Sequence, residues 1–395
     1  MLSRITFTKI SVVWLTALVS ACAILFDSCR HDTEDLHASP EYTLRLKWFA
    51  AYPGQQRVQA ETAFMWTLSY LGAELPAGSF KRAVQWRDST VMEIDFSKAG
   101  FTPQALLLLY NLKQQFERTQ EYQFHGAVDM GRFIALTIGS SKHYYAITGA
   151  APLYNDYRQP FQFDSKMAAL TVSTVAKLHR LIEFSVYNTI YQMAFVALEG
   201  PGRLDDGTFI VKEMETLDIM RNGQIRAGIY QASDSALHDA ADTLYSIGGK
   251  PAKCLWCHEL YISPSFASGA TDVPGYYSHG QFQQKVADAM SALTAYRNTL
   301  NGEIDYTRLQ DHAQMEIAYI SFMEPSAYRL AQEWKTTMQE VQQRMSVFTT
   351  HPYWEYPFLG ELYFRTESDM HTPYQSLRPP TFVREQSAYE PDLLP

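Results

Sequence analysis

The sequence predicts an α+β protein: mixed helices and strands in the N-terminal region, a β-rich middle with hairpins, and a mainly helical C-terminal part bearing a Cys-x-x-Cys-His motif. Three observations carry this. Apolar residues recur at helical spacing around residues 58–71 and 104–118, with an alternating stretch at 91–96 between them. From about Lys166 to Gln231 the chain is rich in β-branched and aromatic residues punctuated by turn chemistry. Beyond Gln281 the helical period returns and persists to Val347.

In chain order, Gln55 to Leu71 reads as a helix, because Val58, Phe64, Met65, Leu68 and Leu71 lie near one face and Gly72 stands at the C-cap position. Ser79 to Trp86 is expected as a shorter helix. Val91 to Phe96 alternates as a strand does, and Thr102-Pro103 opens a helix from Gln104 to Arg118 whose run Leu106 to Leu109 must be well buried. Phe133 to Ile138 and His143 to Thr148 read as two strands around the turn-rich Gly139-Ser140-Ser141-Lys142.

In the middle region, strands are expected at Val172 to Val175, Phe184 to Ile190 and Met193 to Leu198. Thr216 to Tyr230 reads as a hairpin closed by Asn222-Gly223 in a type I′ turn, which requires positive φ at both residues. Ser246 to Lys253 reads as a flexible approach to the cysteine motif. Helices follow at Gln281 to Leu300, at Asp311 to Phe322, and from Pro325-Ser326 through Gln332 to Val347. After His351 the Pro- and Tyr-rich chain has no period and is expected to wrap as a tail. The implied layout is 1–29 signal segment, 30–45 tether, 46–160 α+β domain, 161–245 β-rich domain, 246–350 helical region and 351–395 tail.

The formal charge of −9 and the absence of a basic run argue against nucleic acid as a partner. At the N-terminus, Arg4 and Lys9 precede an apolar run from Ile10 to Phe26, the layout of an export signal. Val19-Ser20-Ala21-Cys22 resembles the site read by a lipoprotein signal peptidase. Lipidation at Cys29 instead would place the charged Arg30 to Asp35 as a solvated tether and leave no unpaired thiol there. Cys22 and Cys29 both stand as candidate lipid attachment sites; an uncleaved membrane anchor or a simple secretory signal are the alternatives. Each places the body of the chain outside the cytoplasm, and lipidation would hold it to the membrane in the periplasm or at the outer membrane.

Lys253-Cys254-Leu255-Trp256-Cys257-His258 carries the chemistry. On a helix, positions i, i+3 and i+4 share a face, so two thiols and an imidazole converge. A thioredoxin-like dithiol, a plain disulfide and a zinc site are the alternatives. The first wants a strand before the motif and the last lacks a second cysteine pair. Asp129-Met130-Gly131-Arg132, with His143-Tyr144-Tyr145, groups ionisable and aromatic side chains that could line a second site, or simply form an ion pair and a half-buried strand. There is no Gly-rich phosphate loop, nucleophile elbow or His-Glu-x-x-His helix, so an enzyme reading has no catalytic constellation.

The pentapeptide from Cys254 to His258 resembles the haem attachment signature of c-type cytochromes. That resemblance rests on the motif and covers at most the following hundred or so residues, making 246–350 a cytochrome c-like region. It implies one covalent haem c on Cys254 and Cys257, with His258 as proximal iron ligand and a downstream Met or His as distal ligand. Met323, at the helix-end break Ser321-Phe322-Met323-Glu324-Pro325, is the first choice; Met290, Met315, His279 and His312 are the others. The chain departs from the small cytochromes in leading into the motif through Gly248, Gly249 and Pro251. The functions implied are electron transfer to a partner protein or haem-based sensing, with a haem enzyme of peroxidase type or a haem-free binding lipoprotein as alternatives.

Overall fold

The computed structural model describes residues 41–86, 89–173, 175–258, 272–365, 377–378 and 393–394. Cys22, Cys29 and most of the expected tail lie outside them. The architecture is α+β, as the sequence predicts, with a β-rich middle and a helical C-terminal part.

The first sheet has four strands: β1 (Thr43–Lys47), β2 (Phe80–Trp86), β3 (Ser89–Asp95) and β4 (Val128–Asp129), in the order β2-β3-β1-β4. β1 begins within the stretch assigned to a tether and runs on into the expected α+β domain. Its Leu44 and Leu46 are fully buried, and it pairs antiparallel with β3. β2 corrects the short helix expected at Ser79 to Trp86. Pairing with β3 decides the matter, placing Lys81 opposite Glu93 with an ion pair of 3.0 Å between them. Helix α1 (Arg57–Tyr70) and helix α2 (Pro103–Arg118) form where expected, the latter with Thr102 accepting a capping bond from Ala105 N–H at 3.2 Å, but of the leucine run expected to be buried only Leu108 and Leu109 are, and Leu107 is exposed. A short helix, α3 (Gln120–His125), follows.

Phe133 to Ile138 and His143 to Thr148 are not strands. Phe133 to Ala135 end helix α4 (Met130–Ala135), Leu136 to Ile138 form the turn after it, and His143 to Thr148 lie in helix α5 (Ser141–Thr148); Asp129 and Ser140 cap the two helices. All six residues of α4 are buried, so it shows no polar face and its apolar run lacks the helical period. The supposed turn at Ser140 is an N-cap.

The second sheet is antiparallel. After helix α6 (Tyr154–Arg158) come β5 (Gln162–Phe163), β6 (Ala168–Leu170), β7 (Arg180–Val186), β8 (Ala194–Glu199), β9 (Glu213–Ile219) and β10 (Ile225–Gln231). Their order is β10-β9-β8-β7-β5, with β6 also on β7. The strand expected at Val172 to Val175 falls instead on β6, and β7 ends before the 3₁₀ turn at Ile190–Gln192. The β9–β10 hairpin is present, but its turn is not type I′. Only Gly223 has positive φ (79°), and Gly223 N–H donates to Met220 O at 2.9 Å while Met220 N–H donates to Gln224 O at 2.8 Å. That is a type I turn closed by a glycine bulge. Asn222 keeps ordinary φ because its amide is committed elsewhere, donating to Ser69 O (2.7 Å) and Ala73 O (2.8 Å) at the end of α1.

The C-terminal helices are α7 (Pro251–His258), α8 (His279–Arg297), α9 (Ala313–Met323), α10 (Ala327–Trp334) and α11 (Met338–Arg344). The helix expected to run from Pro325 to Val347 is broken at Lys335, which takes positive φ (51°), and Thr337 recaps the chain with Glu340. α8 lays Phe282, Ala289 and Leu293 on the apolar part of the second sheet. α9 does not stay with its neighbours. It packs against α1 and α4, and Met315, Tyr319 and Phe322 join the core built by β1, α1 and α2. The described residues from Tyr42 onward belong to one compact unit. No described helix is long and apolar enough to cross a membrane.

The start of the expected tail wraps back onto this unit. β11 (His351–Pro352) pairs with β12 (Glu361–Leu362), and β13 (Phe364–Arg365) carries a buried arginine. Arg365 donates to Phe322 O at 2.7 Å and to both Glu333 oxygens at 2.7 and 3.0 Å, which fixes the tail to α9 and α10.

Candidate functional site

The approach to the motif is a buried, anchored turn, not the flexible segment expected. Ser246 and Lys250 are buried, Ile247 N–H donates to Val175 O at 3.0 Å, and Lys250 Nζ donates to Gly139 O at 3.0 Å. Both glycines are required. A Cβ at Gly248 would lie 2.5 Å from Glu215 Oε1, and Gly249 has φ of 68°. Pro251 then takes the first helical position of α7, where its missing N–H costs nothing.

The two faces of α7 divide between two cores. Ala252, Leu255 and Trp256 are buried in the first core, where the Trp256 ring lies 5.2 Å from that of Tyr319. Cys254, Cys257 and His258 share the other face by their spacing. Cys254 packs against the second core, Cys257 is exposed and His258 is half-buried. Neither cysteine is in a disulfide. Burial, and then the charge of Glu215, pushes the Cys254 thiol well above its ordinary range. Burial, and then the Arg180 guanidinium, pushes the His258 imidazole down to about 3, so it is neutral.

Beneath this face is the charged end of the second sheet. Register sets Arg180 opposite Glu199, Glu199 opposite Glu213, and Glu213 opposite Gln231. Glu215, two residues along β9, shares the face of Glu213. Arg180 donates to Glu199 and, at 2.9 Å, to Glu215 Oε2, whose other oxygen accepts from Ser246 Oγ at 3.0 Å. Glu213 Oε2 accepts from Gln231 Nε2 (2.8 Å) and Asp242 N–H (2.6 Å). One oxygen from each of the three glutamates lies within 4.8 Å of the others, and Arg180 is the cation held among them. Burial, then Glu215, pushes Glu213 up to about 8. Sequence reasoning missed this cluster. Its signal was Glu213 and Glu215 continuing the same face as Leu217 and Ile219.

Met323 is half-buried at the end of α9. It packs on the first core, with Leu255 and Trp256, whereas Met290 on α8 packs on the second core, as Cys254 does. Met315 is fully buried in the first core, His312 lies edge-on to Trp66, and His279 opens α8. Asp129 caps α4 by accepting from Gly131 N–H at 2.7 Å and forms a buried ion pair with Arg329, while Arg132 lies over the Phe322 ring at 5.1 Å. His143 is buried, using one ring nitrogen on Leu136 O at 2.6 Å and the other to accept from Leu393 N–H at 3.1 Å. These residues hold the fold together.

No protein-family model matches the chain, and neither a curated protein nor a solved structure matches it.

Proposed function

We propose that the chain is an extracytoplasmic, membrane-tethered protein carrying one covalent haem c at Cys254, Cys257 and His258, and that it works in electron transfer or haem-based sensing. The observation that carries this reading is the placement of two thiols and a neutral imidazole on one face of α7, with the opposite face locked into a core. The donor set fits the group: thiols for two thioether bonds and an imidazole lone pair for iron. Bound haem would supply a one-electron iron centre.

The chain's own residues do the rest. Leu255 and Trp256 prevent α7 from rolling, so the three donors keep their direction. Arg180 disfavours a proton on His258. The raised Cys254 thiol argues against a redox dithiol, which needs a stabilised thiolate. Met290, on the core that Cys254 touches, is the better-placed distal candidate than Met323. The export signal and its Cys22 or Cys29 lipid site support the extracytoplasmic location.

The test is a pyridine haemochrome spectrum with intact mass on protein exported through a working cytochrome maturation system. Wild type should carry one haem mass that Cys254→Ala/Cys257→Ala loses, and Met290→Ala should change the low-spin spectrum while Met323→Ala leaves it. A colourless chain of unmodified mass sinks the reading and leaves a binding lipoprotein with a Cys-x-x-Cys clip.

A further inference from the structure

At the charged end of the second sheet two carboxylate oxygens, besides Arg180 Nε, lack the partner that their burial demands. Glu199 and Glu213 are both fully buried, and Glu199 Oε2 and Glu213 Oε1 have no hydrogen-bond partner among the described residues. Their other oxygens are engaged, Glu199 Oε1 by Arg180 and Glu213 Oε2 by Gln231 and Asp242 N–H. An unmet buried carboxylate oxygen is expensive, and two of them on directly opposed residues are more so.

We propose that Glu199 and Glu213 share one proton across β8 and β9, forming a proton-binding site under the Cys254 and His258 face of α7. A proton on Glu213 makes Oε1 a donor, and Glu199 Oε2 becomes its acceptor, so one O–H satisfies both orphan atoms. Its release to solvent breaks only that O–H bond and leaves the pair with one more negative charge.

Every charged or titratable neighbour bears on the choice. Arg180 on β7 is the one cation in the cluster, and it already spans Glu199 and Glu215. Glu215 on β9 and Asp242 in the following loop both oppose a second charge on Glu213, whose affinity for a proton is raised accordingly. From α7, Cys254 is kept a thiol and His258 neutral, so neither supplies a positive charge. A divalent cation would meet Arg180 within the same cluster, and Gly248 is pressed against Glu215 with no room for a side chain. A proton needs no room and adds one charge.

The experiment is pH-difference infrared spectroscopy on the full chain, with and without haem, with Glu213→Gln and Glu199→Gln beside wild type. The expected result is one protonated-carboxyl band, shielded from rapid exchange in heavy water, that disappears at alkaline pH. Glu213→Gln loses it and Glu199→Gln shifts its midpoint. Should the variants fail to fold, carbon-13 titration of wild type labelled at glutamate carboxyls reads the same event as one glutamate changing well above the others. Absence of the band in wild type near neutrality overturns the proposal, as does its persistence in both variants. A band that appears only after chelator treatment also overturns it, by showing a metal ion where the proton was placed.

Discussion

Arg180 and Glu199 face one another across β7 and β8, each fully enclosed, and this pair forms part of the floor under the Cys254 and His258 face of α7. Arg180 serves two carboxylates at once. Arg180→Met should therefore strip the counter-charge from Glu199 and Glu215 together and cost about 3–5 kcal/mol in urea unfolding, the usual penalty for orphaning a buried charge. A loss under about 1 kcal/mol would mean the cluster is neutralised by other means.

Glu213 makes stability fall as pH rises. Its carboxyl is pushed up from an ordinary value of 4.5 to about 8 in the folded chain. Between those values the native state holds a proton that the unfolded state has released. Its stabilising contribution is thus complete below 4.5 and is lost as pH climbs to about 8. The unfolding free energy from urea titration should drop over this window by at most about 1.4 kcal/mol per pH unit from this group. Glu213→Gln should remove that part of the slope; an unchanged slope would assign it to other residues.

The two cysteines should react at very different rates with an alkylating reagent. Cys257 is exposed, while Cys254 packs on the second core and its thiol is held protonated. Alkylation followed by peptide mass analysis should find Cys257 modified at least about tenfold faster. Equal rates would show that α7 opens readily.

Asn222 ties the β9–β10 turn to α1, so Asn222→Ala should leave the carbonyls of Ser69 and Ala73 without this donor. The expected loss is about 1–3 kcal/mol, measured by thermal or urea unfolding. Substitution to Asp keeps the size and turn geometry but not the donors, and should rescue little.

Gly131 is where α4 meets α9. A Cβ there would lie 2.3 Å from Phe322 Cβ, so Gly131→Ala should force the helices apart at a cost of about 1–3 kcal/mol. A neutral outcome would mean that α9 can shift without loss.

What the sequence made legible was periodic or capped. α2 and α8 present one apolar face each, and the Thr102-Pro103 start of α2 was readable to the residue, whereas α1, buried all round from Trp66 to Tyr70, was legible from its apolar spacing and from Gly72. α4 was not, because six buried residues in a row carry no period to distinguish helix from strand. The hairpin position was legible from Asn222-Gly223, but its turn type was not, since the Asn222 amide is held by carbonyls from a distant helix. At the site, the shared face of Cys254, Cys257 and His258 followed from spacing alone. The glutamates and Arg180 beneath it did not, because only strand register brings three separate strands' charges together.

α7 also sets an order of events. The core that receives Leu255 and Trp256 is begun by β1, α1 and α2 but finished by α9, which lies farther along the chain. While the chain emerges from its N-terminus, Cys254 and Cys257 are therefore presented before the residues that will clamp their helix have arrived. A reagent that reached these thiols before α9 closed against Trp256 would meet a helix not yet clamped.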